Sequence, residues 1–185
     1  MRATDPRSPA VLPFRVRPIT PDDAVAICHW RYPGPYAFYD YDPRDWPSMV
    51  SPDNAYVVVA GADGLVAGFV TVGANARVPG AEVAGLYQTE SVDIGLGMRP
   101  DLTGRGFGSA FLATALEWTS GHDRPETFRL VVATFNLRAI RTYERAGFVV
   151  GPTFDSPVRD RTASFLLMTR PATLTGDDPV DPEPR

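Results

Sequence analysis

SVDIGLGMRPDLTGRGFGSAF, residues 91–111, joins a strand to a helix through a glycine-rich turn. Val92, Ile94, Leu96 and Met98 alternate with Asp93, Gly95 and Gly97, so Ser91–Met98 reads as a strand with one bulky face and one nearly bare. A bare glycine face admits either a ligand or a closely packed neighbour, and the sequence leaves both open. Gly104, Gly106 and Gly108 then remove side chains where the chain must tighten. Gly108, Phe111, Leu112, Ala115, Leu116 and Thr119 recur at helical spacing, which predicts an amphipathic helix over Gly106 to about Ser120. Backbone N–H groups at the positive end of that helix suit a phosphate, although a plain connection would have the same composition. A dinucleotide-binding turn would need GxGxxG after the first strand and a ribose-binding carboxylate about 20 residues on. Here the third glycine is one place early and several strands precede it. A Walker loop fails for want of Gly-Lys-Ser/Thr.

Working outward, Phe14–Ile19 suggests a first strand, and Thr20-Pro21-Asp22-Asp23 a helix start with a hydroxyl cap, proline at the first position and early carboxylates. That helix is expected to reach about Arg31, before Pro33-Gly34-Pro35 forbids continuation; Pro43–Val50 suggests a second short helix. Ala55–Ala60 and Leu65–Gly73 read as strands joined through Gly61–Gly64, whose Asp-Gly pair suits a hairpin. Phe128–Ala133 is a further strand. Asn136–Ala146 is a second amphipathic helix with Ile140 and Tyr143 on one side and Arg138, Arg141 and Arg145 on the other, stopped by Gly147. Strands near Phe148–Val150 and Ala163–Thr169 complete an α/β domain of mixed α+β character, a central mixed sheet flanked by helices. Residues 1–13 read as a flexible arm, 14–170 as one domain, and 171–185, rich in proline and acid, as a disordered tail.

The chain has 185 residues, a formal charge of -4 and 18 cationic residues, all arginine, a balance that argues against broad nucleic-acid binding. No apolar run is long enough for a membrane span, and the N-terminal stretch lacks a secretory core, so the expected location is the cytoplasm. One cysteine, Cys28, excludes an internal disulfide, and with His29 and His122 alone to help it, no metal site is expected.

MRPDLTGRGFGSAFL together with the downstream NLRAIRTYERAGF resembles the GCN5-related N-acetyltransferases (GNAT), most closely over residues 91–149. Where that family's turn begins with Gln or Arg, this chain has Thr103, a departure that costs one side-chain feature and leaves the backbone donors. The resemblance implies a GNAT-like fold and transfer of acetyl from acetyl-CoA directly to an amine. It implies cofactor contacts at Leu96, Gly97 and Met98, at Gly104, Arg105, Gly106, Phe107, Gly108 and Ser109, and at Asn136, which by residue type alone is also a helix cap. Tyr143 falls where the family has a tyrosine that protonates the departing thiolate; alone it would read as core.

The family's base on some relatives lies five residues before Asn136, a place taken here by Val131. Asp93 matches an alternative position on the earlier strand and is the expected base, with Glu90 in reserve. The aromatic and acidic segment 30–42 falls in the region that lines the family's acceptor site, so Trp30, Tyr36 and Tyr39 are expected to bind substrate. With Asp40 and Asp42 they would suit a cationic amine, small molecule or peptide. Arg44, Arg77 and Arg99 read as solvated charges. A homodimer is compatible with the sequence; nucleic-acid and membrane partners are not expected. The alternatives are a non-catalytic acyl-CoA-binding or regulatory domain and a nucleotide-binding oxidoreductase.

Overall fold

A computed structural model describes residues 14–51, 56–61 and 64–172. The proposed arm, Ala55 and Asp63 of the expected strand and hairpin, and residues 173–185 of the proposed tail lie outside the described residues. Pro171 and Ala172 belong to the sheet instead of the tail. Pro171 stands opposite Thr127, and the Ala172 N–H donates to the Glu126 carbonyl at 2.9 Å.

In chain order the elements are β1 (Arg15–Pro18), α1 (Pro21–Cys28), a 3-10 segment (Gly34–Tyr39), a second (Pro43–Asp45) that leads into α2 (Trp46–Met49), β2 (Tyr56–Ala60) and β3 (Val66–Val72). A 3-10 turn (Gly73–Ala76), α3 (Pro79–Val83), β4 (Val92–Met98), α4 (Gly108–Asp123), β5 (Thr127–Ala133), α5 (Leu137–Arg145), β6 (Val149–Val158) and β7 (Arg161–Pro171) follow. The seven strands form one mixed sheet in the order β1-β2-β3-β4-β5-β7-β6, in which β4 and β5 are parallel and every other pair antiparallel.

Capping decides α1. Thr20 Oγ1 accepts from the Asp23 N–H at 3.2 Å while the Asp23 carboxylate accepts from the Thr20 N–H at 2.9 Å. The helix ends at Cys28, short of the expected Arg31, because Arg31 turns back and donates to the Cys28 carbonyl at 2.9 Å as the chain extends toward Pro33. In the other direction, α4 outruns its predicted end, passing through Gly121 to a left-handed Arg124.

Helix α4 joins two parts of the core. Its Leu112 and Leu116 pack with Ile94, Phe128, Leu130 and Met168, and its Phe111 and Ala115 with Val59, Val70 and Val72. Helices α1 and α2 pack with Val58 and Phe69, and there the Cys28 thiol meets Met49 at 3.7 Å. Among the described residues, no helix is long and apolar enough to cross a membrane.

Candidate active site

Strands β4 and β5 are paired at Val92–Phe128 and Asp93–Arg129 and nowhere beyond, although β4 continues to Met98 and β5 to Ala133. Each keeps its partner on the other side, so the sheet parts along this seam. The gap belongs to a cleft of about 750 Å³ bounded by Leu96, Gly97 and Met98 on β4 and Val131 on β5. Gly95 and Gly97 serve both readings left open by the sequence. They line the cleft, and a Cβ on them would stand 2.6 Å from Thr71 Cγ2 and 2.2 Å from Phe69 Cε1.

The glycine turn forms one end of this cleft, which Gly104, Gly106, Gly108 and Ser109 line. Gly104 and Gly106 adopt φ of +73° and +89°, a region that side chains disfavour, and a Cβ on Gly106 would meet nothing within 4 Å. No side chain caps α4, so the N–H groups of its first turn remain available to an anion. Arg105 and Phe107, expected as cofactor contacts, are not among the lining residues.

Helix α5 supplies the facing wall. Arg138, Arg141 and Arg145 all line the cleft, as does Tyr143. The sequence reading separated these arginines from Tyr143; their spacing of three and four, a single stripe on a helix beside a phosphate-sized turn, is the signal that could have found them. Together the uncapped helix, the open glycine and three guanidiniums fit the phosphates of a coenzyme A thioester. Asn136 caps α5, accepting from the Ala139 N–H at 3.3 Å, and donates to the Tyr39 hydroxyl at 3.1 Å. The Tyr143 phenol, packed against Phe148, makes no hydrogen bond to a described residue, and burial raises its pKa. It therefore stays protonated throughout the physiological range.

An aromatic wall completes the lining. Trp30, Tyr36 and Tyr39 all line the cleft, joined by Tyr32, Tyr41 and Phe69. Trp30 stacks on Phe69 with ring centroids 6.3 Å apart, and Tyr32 donates to the Met98 carbonyl at 2.8 Å, tying the wall to β4. The two acids expected to serve a cationic amine are occupied elsewhere. Asp40 accepts from the Tyr32 N–H at 2.9 Å, and Asp42 caps the Pro43–Asp45 turn and pairs with Arg44.

Asp93 does not reach the cleft as the expected base. It is 3% exposed, receives Arg129 through Nε at 2.6 Å and Nη2 at 3.0 Å, and receives Arg77 Nε at 2.7 Å. The Tyr87 ring packs against both guanidiniums, its centroid 4.8 Å from that of Arg77 and 4.7 Å from that of Arg129. Arg77 is thus no solvated charge. Glu90 is exposed and is not a lining residue either. Among the described residues, the cleft lining contains no carboxylate and no imidazole. No group of three or more His, Cys, Asp or Glu stands together among them.

The acetyltransferase (GNAT) family profile matches residues 23–148. Over 98 residues the chain is 33% identical to the mycothiol acetyltransferase of Acidimicrobium ferrooxidans, a match covering 53% of this chain and 29% of that protein. The chain thus spans less than a third of that relative's length. A chimera of the spermidine N-acetyltransferase SpeG from Vibrio cholerae and hSSAT shares the fold at TM-score 0.64 and 17% identity, covering 86% of this chain and 95% of the other. SpeG from Vibrio cholerae in complex with manganese ions does so at TM-score 0.61 and 18% identity, covering 86% and 92%. With the family profile running from α1 through the parted strands and the glycine turn to Phe148, this chain belongs to the GNAT family of acetyltransferases.

Proposed function

We propose that this protein is an acetyl-CoA-dependent N-acetyltransferase that passes acetyl directly to an amine. The observation that carries the reading is the convergence, on one cleft, of the parted β4–β5 seam, the uncapped α4 terminus, the α5 arginines and the Tyr143 hydroxyl. Bound acetyl-CoA supplies an acetyl group activated as a thioester. The first-turn N–H groups of α4 and the three arginines would hold its phosphates, with Leu96–Met98 along its thioester arm. Tyr143 donates a proton to the departing sulfur, as a phenol that is neutral at working pH and lines the cleft can. Among the described residues no carboxylate or imidazole lines the cleft as a base, so the amine gives up its first proton to solvent and attacks as the neutral form; the second proton, lost as the amide forms, returns through solvent to the Tyr143 phenolate.

Cys28 lies buried against Met49 in the α1–α2 interface, away from the lining, so no covalent relay through it enters the mechanism. The acceptor is a small molecule or a peptide amine bound at the aromatic wall.

Thiol release from acetyl-CoA across an amine panel tests the reading. It is expected only when an amine is present, with a rise in melting temperature on adding acetyl-CoA and none with NADH. A melting shift without release against any amine would assign the chain to acyl-CoA binding alone.

A further inference from the structure

We infer that the amine acetylated here carries a carboxylate or another oxyanion, held by Arg77 with Thr71. The inference rests on the acetyl-transfer reading and names the substrate class of the same site. Every formally charged side chain that lines the cleft, among the described residues, is an arginine. Arg138, Arg141 and Arg145 belong to the α5 wall beside the glycine turn and are accounted for by phosphates. Arg77 stands apart from them, directly after the turn that follows β3.

Its local charge is not balanced. Two guanidiniums share the one carboxylate of Asp93, and Arg129, 1% exposed, engages both of its oxygens. The surplus positive charge therefore falls to Arg77, the solvent-accessible member of the cluster. Glu82 stands at ion-pair distance, 3.9 Å from Arg77 Nη1, but its side chain is largely solvated, and such exposed pairs hold weakly. Tyr87 beneath the guanidinium fixes its plane, and its two terminal nitrogens make no hydrogen bond to a described residue. A planar, oriented fork of this kind is matched to a carboxylate.

Thr71 supplies a second, independent observation. It lines the same cleft, is 4% exposed, and its hydroxyl has no hydrogen-bond partner. Buried hydroxyls are ordinarily paired, so this orphan, itself closed off from solvent, is one that a ligand atom can satisfy once rotation about χ1 turns it into the cleft. Thr71 stands opposite Gly95 in the β3–β4 register, next to the stretch Leu96–Met98 that would hold the thioester. An anionic group bound there is therefore close to the reacting end. The aromatic wall provides for an apolar remainder, while Asp40 and Asp42 are not among the residues that line the cleft. A polyamine would enter a cleft whose charges are all of its own sign.

Matched trios decide the matter: phenylalanine, phenylalaninamide and phenethylamine, and the tryptophan and leucine equivalents, with spermidine alongside. Each is assayed by thiol release at saturating acetyl-CoA, with kcat/KM corrected for the neutral fraction of the amine. The free acid is expected to exceed its amide and its decarboxylated amine at least tenfold, with spermidine below all three. Arg77→Gln and, as a near-isosteric second variant, Thr71→Val should each shrink the acid-to-amide ratio, and Arg77→Lys should restore part of it. Reading a ratio cancels any loss common to all amines. Preference for spermidine or for the uncharged members, or an acid preference unchanged in both variants, would overturn the inference while leaving acetyl transfer intact. Absence of thiol release with every amine, despite a melting shift with acetyl-CoA, would remove the catalytic reading and this inference with it.

Discussion

Arg138 spreads its guanidinium over the Tyr36 ring, 4.0 Å from the centroid, and a Cβ on Gly104 would stand 3.2 Å from the Nη1 of the same group. One side chain thus spans the aromatic wall and the glycine turn. Arg138→Ala should weaken acetyl-CoA binding by about ten- to a hundredfold, in line with about 1.5–3 kcal/mol for a hydrogen bond to a charged group. Calorimetry against acetyl-CoA and acetyl-pantetheine checks it. The loss should vanish for the ligand without phosphates, and an equal loss for both would mean that Arg138 acts by packing.

Tyr143→Phe should lower kcat by about 10² to 10⁴ and leave acetyl-CoA affinity near wild type, since the ring that packs on Phe148 remains and only the proton donor is removed. Because burial raises the Tyr143 pKa, the wild-type rate should show no descending limb from its ionisation below pH 10. A variant as fast as wild type across pH would leave the phenol a packing group alone.

With no carboxylate or imidazole in the described lining, the pH dependence of kcat/KM should belong to the substrate. The rate should rise tenfold per pH unit and level off near the pKa of whichever amine is used. Profiles for three amines of different pKa test this; a common midpoint near 6–7 would indicate a base on the protein.

Asp93→Asn should destabilise the fold by about 3–5 kcal/mol, because it leaves a buried arginine uncompensated. For a domain of this size that corresponds to a melting temperature lower by roughly 10 °C. A variant with wild-type stability and a lost amine-dependent rate would return Asp93 to the role of base that its sequence position suggested.

Acid sensitivity should arise at Asp23, whose pKa the Arg17 guanidinium lowers to about 2, with hydrogen bonds from Thr20 assisting and burial opposing. A depressed carboxylate contributes stability above its unfolded value of 3.8, and the contribution fades as pH falls from there toward 2. At pH 7 it amounts to about 2 kcal/mol. Urea melts of Asp23→Asn should show that loss at pH 7 and a shallower decline between pH 4 and 2.

The strand–turn–helix at 91–111 was legible because glycine spacing and hydrophobic period act locally. Of β6 only the start, near Phe148–Val150, was: Gly151, Pro152 and Pro157 then break the pattern of a strand, and they are tolerated because β6 occupies the sheet edge, where a missing donor faces no partner. Asp93 shows a different limit. Its place on β4 is readable, but Arg129 and Arg77 are brought to it by strand pairing and by a turn 16 residues away, neither of which periodicity can foresee. The acceptor wall was legible in composition, whereas the engagement of Asp40 and Asp42 was not, because it depends on the path of a loop.

Strands ordinarily expose unpaired rims at the outside of a sheet, where they invite other chains. Here two such rims lie indoors, along Ile94–Met98 and Leu130–Ala133, screened by α4, α5 and the aromatic segment. Protein backbone cannot dock there without dismantling the domain, but a thin chain carrying its own amides can slide in edgewise and borrow the pairing that a strand would have made. The seam thereby acts as a gauge of thickness: it admits by girth before any side chain reads identity.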